Sequence, residues 1–159
     1  MSTEVDAEIS AQLDAGTLPA PDKKTFYMVS SPKGFSIITI KGDSSVEGGF
    51  CGYHTSIRYQ GRRVYYGVLP DKSPDSGCDV GCGISTNPAE NLNAVASHEL
   101  GEAITDPAAG VNPAWYDSIQ GEIGDMCQGH QGTFIGTDGV TYGVQALLSN
   151  ALGSCVTSR

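Results

Sequence analysis

The sequence predicts an α+β fold in which a small twisted β-sheet packs on one long helix and the C-terminal part is rich in loops. Short segments of β-branched and aromatic residues are separated by glycine- and proline-bearing turns, which is typical of strands. One long stretch, Pro88 to Thr105, lies between helix start and stop signals. The length of 159 residues fits one domain, so we assign residues 1–159 to a single unit in which residues 1–20 form an N-terminal helix and linker.

The N-terminal segment carries the pattern of a short amphipathic helix. Val5, Ile9 and Leu13 recur every four residues and therefore lie on one helix face. Gly16 is expected to end this helix, because glycine favours the left-handed conformation that follows a helix C-terminus. The proline-bearing residues 18–21 then indicate a linker.

Four segments are rich in strand-forming residues. Residues 25–29 and 35–40 flank a Ser-Pro-Lys-Gly turn at residues 31–34, which predicts a β-hairpin. Residues 64–69 form another strand candidate that Pro70 closes, and residues 140–147 form the last.

The longest predicted helix has clear boundaries. Asn87 is suited to cap it, Pro88 suits the first helical position, and Glu90 completes a capping box. The helix is expected to end at Thr105, because Asp106-Pro107 cannot continue it. Its composition is apolar over most of its surface, so we expect burial on most sides.

Three chemically active residues lie in the middle of this apolar helix. His98 and Glu102 are four residues apart and project from one face about one turn apart, which is the spacing that two ligands of one metal ion need. Glu99 lies roughly 100° around the helix and flanks this pair, where it can take a proton from a metal-activated water. The motif is His-Glu-x-x-Glu, a variant of the zincin pattern His-Glu-x-x-His.

Burial strengthens the metal interpretation of this motif. A buried carboxylate without a partner costs several kcal/mol or shifts its pKa, so two glutamates and a histidine on a buried helix require a nearby cation. The alternative is a surface pair of glutamates with a capping or core histidine. The apolar flanking residues argue against that exposed face.

The third metal ligand has to come from another part of the chain. The metzincin layout would place it ten residues after His98, where Ala108 stands, so that layout is excluded. Glu122 and Asp125 offer two carboxylates close together, one as ligand and the other as a partner of a ligand. We expect Asp125 to be the ligand because Cys127 anchors its backbone, and the reverse assignment to Glu122 stays open. The histidines at positions 54 and 130 are weaker candidates.

The net charge restricts the kinds of partner that this protein can bind. The formal net charge of −9 provides no basic patch for nucleic acid or an anionic membrane, and no apolar stretch is long enough to span a bilayer. We therefore expect neither partner, and we expect a monomer. The acidic N-terminus lacks the apolar core of a signal peptide.

The five cysteines favour a secreted domain whose signal peptide is absent from this chain. We expect Cys127 to pair with Cys155, which would hold the C-terminal segment beside the predicted metal loop. We further expect a small bridge between Cys78 and Cys82, leaving Cys51 free.

Several segments together resemble a known family. Residues 97–107, which contain the His-Glu-x-x-Glu motif, Trp115–Asp117 and Gly121–Asp125 are similar to bacterial and fungal secreted proteins related to the plant phosphate-induced (EXORDIUM-like) family. Residues 50–54 and 144–155 also fit this pattern. The resemblance covers residues 20–155 and implies a zincin-like peptidase fold.

The motif and the resemblance lead to one expected activity. We expect a zinc metallopeptidase with one Zn²⁺ per chain, held by His98, Glu102 and a downstream carboxylate, that acts on a peptide or protein substrate. Glu99 is the expected general base. Tyr116 is the first candidate for stabilising the oxyanion, with Tyr142 as the other.

The substrate is expected to lie as an extended strand against the edge formed by residues 64–69. This expectation rests on analogy with the way peptides add to exposed sheet edges in other proteins.

The alternative function belongs to another class, a non-catalytic secreted binding or cell-wall interaction protein whose metal is structural. The number of protein ligands on the metal distinguishes the two functions, because a structural site is closed by four protein ligands and a catalytic site keeps an open position.

Overall fold

The structure, a computed structural model, describes residues 3–46 and 48–158. The ends of the predicted domain, residues 1, 2 and 159, lie outside the described residues. These ranges contain two α-helices, a 3₁₀ turn and small β-sheets, which confirms the α+β class. The elements are α1 (Thr3–Asp14), β1 (Phe26–Ser30), β2 (Tyr53–Tyr59), β3 (Arg62–Leu69), α2 (Pro88–Thr105), the 3₁₀ turn (Asp125–Cys127), β4 (Gln131–Ile135), β5 (Thr141–Gln145), β6 (Leu147–Ser149) and β7 (Ser154–Val156).

The central sheet has the strand order β1-β3-β2. β3 pairs parallel with β1 and antiparallel with β2, so it hydrogen-bonds on both sides. The strand predicted at residues 64–69 is confirmed, but its predicted role as a substrate-binding edge is wrong. A peptide cannot pair with a strand whose backbone groups are already used by two neighbours.

The predicted hairpin of residues 25–29 and 35–40 is also wrong. β1 pairs with β3, beginning at Phe26 and Tyr65, instead of with the segment that follows it. Residues 35–40 contain only an isolated bridge from Ile38 to Ser44, and Ile38 and Ile40 are exposed. Strand propensity depends on packing against neighbours, and the more distant β3 provides the better apolar partner here.

The hydrophobic core lies between the central sheet and α1. Ile9 and Leu13 of α1 are buried against Val64, Tyr66 and Val68 of β3, as the four-residue spacing predicts. The chain then turns through Gly16, whose φ of +68° is a conformation that glycine adopts without strain.

Helix α2 begins and ends where the sequence predicts. The Asn87 side chain caps it by accepting a hydrogen bond from the Ala89 amide at 3.0 Å. The predicted capping box is not formed directly, because Ser85 lies between its partners. The Asn87 amide donates to the Ser85 hydroxyl at 3.1 Å, and this hydroxyl donates to Glu90 at 2.6 Å.

The expectation that α2 is buried on most sides is wrong. α2 packs against β2 and β3 on one side and against β5 on another, while Leu100 and Ile104 are 44% and 75% exposed. The described sheets are small, and they leave the side that carries Leu100 and Ile104 open to solvent. Gly101 permits the close approach of the C-terminal part, since a Cβ added there would lie 2.5 Å from Leu147 Cδ1.

The C-terminal part is rich in loops, as predicted, and it also contains two short antiparallel strand pairs that the sequence did not predict. β4 pairs with β5, and β6 pairs with β7. The strand predicted at residues 140–147 is interrupted at Ala146, which lies between β5 and β6.

The disulfides agree with the sequence-based expectation at one pair and differ at the other. Cys127 pairs with Cys155, as predicted. The predicted Cys78–Cys82 bridge is wrong, because Cys82 pairs with Cys51 and Cys78 is a buried free thiol. Two disulfides are typical of extracellular proteins.

Among the described residues, no helix is both long enough and apolar enough to cross a bilayer.

Candidate metal centre

The centre forms where β2 and a C-terminal loop meet the inner face of α2. β2 contributes His54, α2 contributes His98, Glu99 and Glu102, and the loop contributes Glu122 and Asp125. His54 lies opposite Gly67 in the register of β2 and β3. The structure therefore brings the predicted motif together with both predicted carboxylates and with one of the weaker histidine candidates.

His54 is the buried hub of this cluster. Its Nε2 lies 2.9 Å from the backbone oxygen of Asp106, which can only accept, so Nε2 carries a proton and donates it. Its Nδ1 lies 3.1 Å from Glu99 Oε2 and 3.6 Å from Glu102 Oε2. A histidine that donates one ring nitrogen to a backbone carbonyl and turns the other toward carboxylates has the orientation common among metal-ligating histidines.

Glu102 is held firmly by donors on one of its oxygens. Glu102 Oε1 accepts hydrogen bonds from the backbone amides of Gly124 and Asp125, both at 3.1 Å. His98 Nε2 also lies 3.1 Å from Oε1. The other oxygen, Oε2, faces His54.

His98 is fixed by a residue of β5. Its Nδ1 lies 2.7 Å from Gln145 Nε2, and the same amide nitrogen donates to the Gly124 carbonyl at 2.8 Å. The Gln145 backbone amide in turn donates to the Ser97 hydroxyl at 2.9 Å. The contact between α2 and β5 therefore determines how the His98 ring is oriented.

Glu99 is the member of the cluster that is both buried and adjacent to the cleft. It is 3% exposed, and it lines a cleft of about 220 Å³ together with His98, Asp125 and Gln145. Gly52 provides the room for its side chain, because a Cβ added to Gly52 would lie 2.7 Å from Glu99 Oε1. The Cys51–Cys82 disulfide forms part of the same cleft wall.

The two loop carboxylates have different surroundings. Glu122 Oε1 is buried, receives no hydrogen bond and lies 3.4 Å from His54 Nε2. Asp125 is about half exposed, and its Oδ1 lies 3.7 Å from His98 Nε2. Its Oδ2 accepts a hydrogen bond from the Glu122 amide at 3.0 Å. This buried carboxylate oxygen without a partner is a group that a bound ion or an ordered water would satisfy.

Two groups of three residues among the described residues bring ligand atoms within 4.8 Å of one another. The first is His54, Glu102 and Glu122, and the second is His98, Glu99 and Glu102. Both groups share Glu102, and Asp125 belongs to neither. Imidazole and carboxylate are donors that Zn²⁺ accepts, so the donor set fits this metal.

The carboxylates of the cluster favour positive charge on its two histidines. Burial lowers the pKa of His54, but its contacts with Glu122, Glu99 and the Asp106 backbone raise it to about 10. Burial also lowers the pKa of His98, and its hydrogen bond to Glu102 and the neighbouring carboxylates raise it to about 9. Gln145 opposes that rise, because a protonated Nδ1 could not accept its hydrogen bond. Burial raises the pKa of Glu99 against the lowering effect of its bond to His54.

The predicted oxyanion residues lie elsewhere. Tyr116 is 58% exposed, and the Tyr142 hydroxyl donates to Asp138 at 2.7 Å. Neither tyrosine is among the residues that line the cleft, whereas His130 is.

His54 is more central to the site than the sequence indicates, and Gln145 is a site residue that was not predicted. His54 lies on β2, which was also not predicted, although residues 53–59 are rich in strand formers and precede a Gln60-Gly61 turn. That pattern is a hairpin signal and would have placed His54 on a strand next to β3. No comparable signal identifies Gln145, because its role depends on the contact of β5 with α2.

Comparison of the chain with protein-family models, with curated proteins and with solved structures found no match. The resemblance to EXORDIUM-like proteins and the zincin-like fold therefore stay predictions.

Proposed function

We propose that this chain is a secreted zinc-dependent metallopeptidase, which hydrolyses peptide bonds with Glu99 as general base. One observation carries the proposal. A buried cluster of two imidazoles and several carboxylates, with the composition of a zinc site, opens onto a cleft through His98, Glu99 and Asp125. The two disulfides support secretion.

His54, Glu102 and Glu122 are the residues that would hold the metal. Glu102 is prepositioned by two backbone amides, and each of the three residues offers a ligand atom within 4.8 Å of the other two. A zinc ion supplies Lewis-acid polarisation of a carbonyl oxygen and lowers the pKa of water.

Glu99 is placed to move protons between this cluster and the cleft. His54 binds Glu99 Oε2 at 3.1 Å, which leaves Oε1 next to Gly52 at the cleft wall. A carboxylate whose pKa is raised by burial is a more effective general base and acid than an exposed one. Glu99 therefore takes the proton of the attacking water at this oxygen and returns it to the leaving amine.

The cleft is suited to a side chain of the substrate. Its wall combines the apolar Phe50, Ile84 and Val95 with glycines that leave backbone accessible, such as Gly49 and Gly81. We place the substrate in this cleft and not along β3, because both sides of β3 are already paired.

A second candidate is a non-catalytic secreted binding or cell-wall interaction protein with a structural metal. It is favoured by the burial of His54 and Glu102, which are 6% and 3% exposed. Neither residue is among those that line the cleft, and a closed site with four protein ligands is structural.

Hydrolysis by a matched pair of variants tests the first candidate. Glu99→Gln keeps the shape of the side chain and removes its basicity, whereas Glu90→Gln makes the same change on the exposed first turn of the same helix. We expect wild type and Glu90→Gln to bind about one zinc per chain and to cleave casein until a chelator is added. We expect Glu99→Gln to keep zinc and fold while turnover falls by at least about 100-fold.

Three possible results decide the role of Glu99 and the role of the metal. Undiminished turnover by folded, zinc-loaded Glu99→Gln excludes Glu99 as the base. Loss of zinc in that variant makes Glu99 a ligand. Zinc-loaded wild type that cleaves no protein substrate supports the structural-metal candidate.

A further inference from the structure

We infer that His98 is a positioning residue and not a metal ligand: its Nε2–H donates to Glu102, and Gln145 sets that tautomer. The inference deepens the proposed zinc site and rests on Glu102 being one of its ligands. It departs from the ligand pair that the His-Glu-x-x-Glu spacing predicts.

The Gly124 carbonyl determines the orientation of the Gln145 amide. The amide nitrogen lies 2.8 Å from the Gly124 carbonyl oxygen. Flipping the amide would place two acceptor oxygens at this short distance, so the nitrogen must face Gly124. The same nitrogen lies 2.7 Å from His98 Nδ1. His98 Nδ1 therefore accepts a hydrogen bond, and its lone pair is used.

The proton of the His98 ring consequently lies on the other nitrogen. A neutral imidazole whose Nδ1 accepts carries its proton on Nε2. His98 Nε2 lies 3.1 Å from Glu102 Oε1 and 3.7 Å from Asp125 Oδ1, so it donates to Glu102. Neither nitrogen of His98 then offers a lone pair to a metal.

The two oxygens of Glu102 differ in their availability to a metal. Oε1 receives the two amides of Gly124 and Asp125 in addition to His98. Three donors satisfy this oxygen and fix the carboxylate plane. Oε2 is left, and it points to His54 at 3.6 Å. The metal therefore binds on the His54 side of Glu102.

His54 has the opposite arrangement to His98. Its Nε2–H donates to the Asp106 carbonyl at 2.9 Å, and its Nδ1 faces the acceptors Glu99 Oε2 and Glu102 Oε2. Nδ1 is therefore the ring nitrogen of His54 whose lone pair a metal can share with Glu102 Oε2.

Nitrogen NMR on the full chain tests the assignment directly. The sequence contains only three histidines, so ¹⁵N-histidine labelling gives three rings to assign, with His130 as the exposed control. Long-range ¹H–¹⁵N spectra are recorded without metal and with zinc. We expect zinc to shift His54 Nδ1 strongly and to leave His98 as the Nε2–H tautomer in both spectra. A metal-bound shift at His98 Nε2, or an Nδ1–H tautomer for His98 without metal, overturns the inference.

Zinc affinity of matched variants gives an independent readout. His98→Gln retains a side-chain amide that can donate to Glu102, and we expect it to weaken zinc binding by about 10- to 100-fold. We expect His54→Ala to abolish binding and His130→Ala to leave it unchanged. Loss of zinc by His98→Gln as complete as that by His54→Ala contradicts the positioning role. If wild type binds no zinc, the proposed function fails, and the metal-free spectrum still decides the tautomer.

Discussion

His54 Nδ1 lies 3.1 Å from Glu99 Oε2 across the contact between β2 and α2, and the side chains of both residues are at least 96% buried. The two residues are 45 positions apart in the sequence. A buried ion pair of this kind binds the sheet to the helix in the metal-free protein, and the same atoms form the zinc site in our proposal. Its removal therefore changes stability as well as metal binding.

His54→Ala is expected to destabilise the metal-free protein strongly. The substitution leaves Glu99 and Glu102 buried without their nearest cation, and breaking a buried ion pair in this way costs about 3–5 kcal/mol. Urea unfolding in the presence of chelator measures the loss. The exposed His130 provides the control, with a change within about 0.5 kcal/mol for His130→Ala. Equal unfolding midpoints for the two variants would contradict the role of His54.

Zinc affinity is expected to rise with pH. Without metal, His54 has a pKa of about 10 and is protonated at neutral pH, so zinc has to displace its proton. Displacement of one proton makes the affinity rise about tenfold per pH unit below that pKa. Competition with a zinc-binding dye between about pH 6 and pH 8 measures this slope. An affinity independent of pH would show that no protonated ligand is displaced.

Lys72 is expected to make the protein more stable as the pH rises above about 8. The side chain is buried, and burial lowers its pKa from 10.5 to about 8. The nearby Cys78, Asp71, Asp79 and Glu99 raise the pKa and so oppose part of this effect. Between these two values the unfolded chain binds more protons than the folded one, so the free energy of unfolding increases with pH from this group. Below the folded pKa both states are charged and the gain is absent.

Lys72→Met isolates this contribution. Urea unfolding at about pH 7 and pH 10 gives the free energy of unfolding of wild type and of Lys72→Met. We expect the advantage of wild type over the variant to be larger at pH 10 than at pH 7. The comparison cancels other titrating groups, including His54, whose raised pKa acts in the opposite direction. A difference that does not change with pH would show that Lys72 keeps an ordinary pKa.

The parts of the fold that depend on local signals were predictable. The bounds of α2 follow from Asn87, Pro88 and the Asp106-Pro107 stop, and the burial of α1 follows from its four-residue apolar spacing. The motif on α2 likewise identified the helix that carries the candidate site. These features depend on interactions within a few turns of the chain.

The parts that depend on distant contacts were not predictable. β1 pairs with β3 and not with its neighbour in sequence, and Cys82 reaches Cys51 across a separation of 31 residues. His54 acquires its importance only because β2 packs on α2. Spacing correctly identified His98 and Glu102 as neighbours, but it could not show that Gln145 occupies the nitrogen of His98 that faces away from Glu102.

Thiol chemistry tests the disulfide pattern and its contribution to stability. The free thiol among the described cysteines is Cys78, which is buried beside Ser45. We expect no reaction of the native protein with a thiol reagent and one thiol per chain after unfolding. The Cys127–Cys155 bridge closes a separation of 28 residues, and replacing both cysteines with serine is expected to lower the unfolding free energy by about 3–4 kcal/mol. Recovery of a Cys78–Cys82 peptide without reduction would contradict the pairing.

The most direct test of the central claim is a crystal structure of the zinc-loaded protein with anomalous diffraction at the zinc edge. We predict one zinc peak with His54 Nδ1, Glu102 Oε2 and a carboxylate oxygen of Glu122 at about 2.0–2.2 Å, and an open coordination position that faces Glu99 and the cleft. A peak closed by four protein ligands would contradict the peptidase and establish the structural-metal alternative. The absence of a peak from the cluster would contradict the metal centre itself.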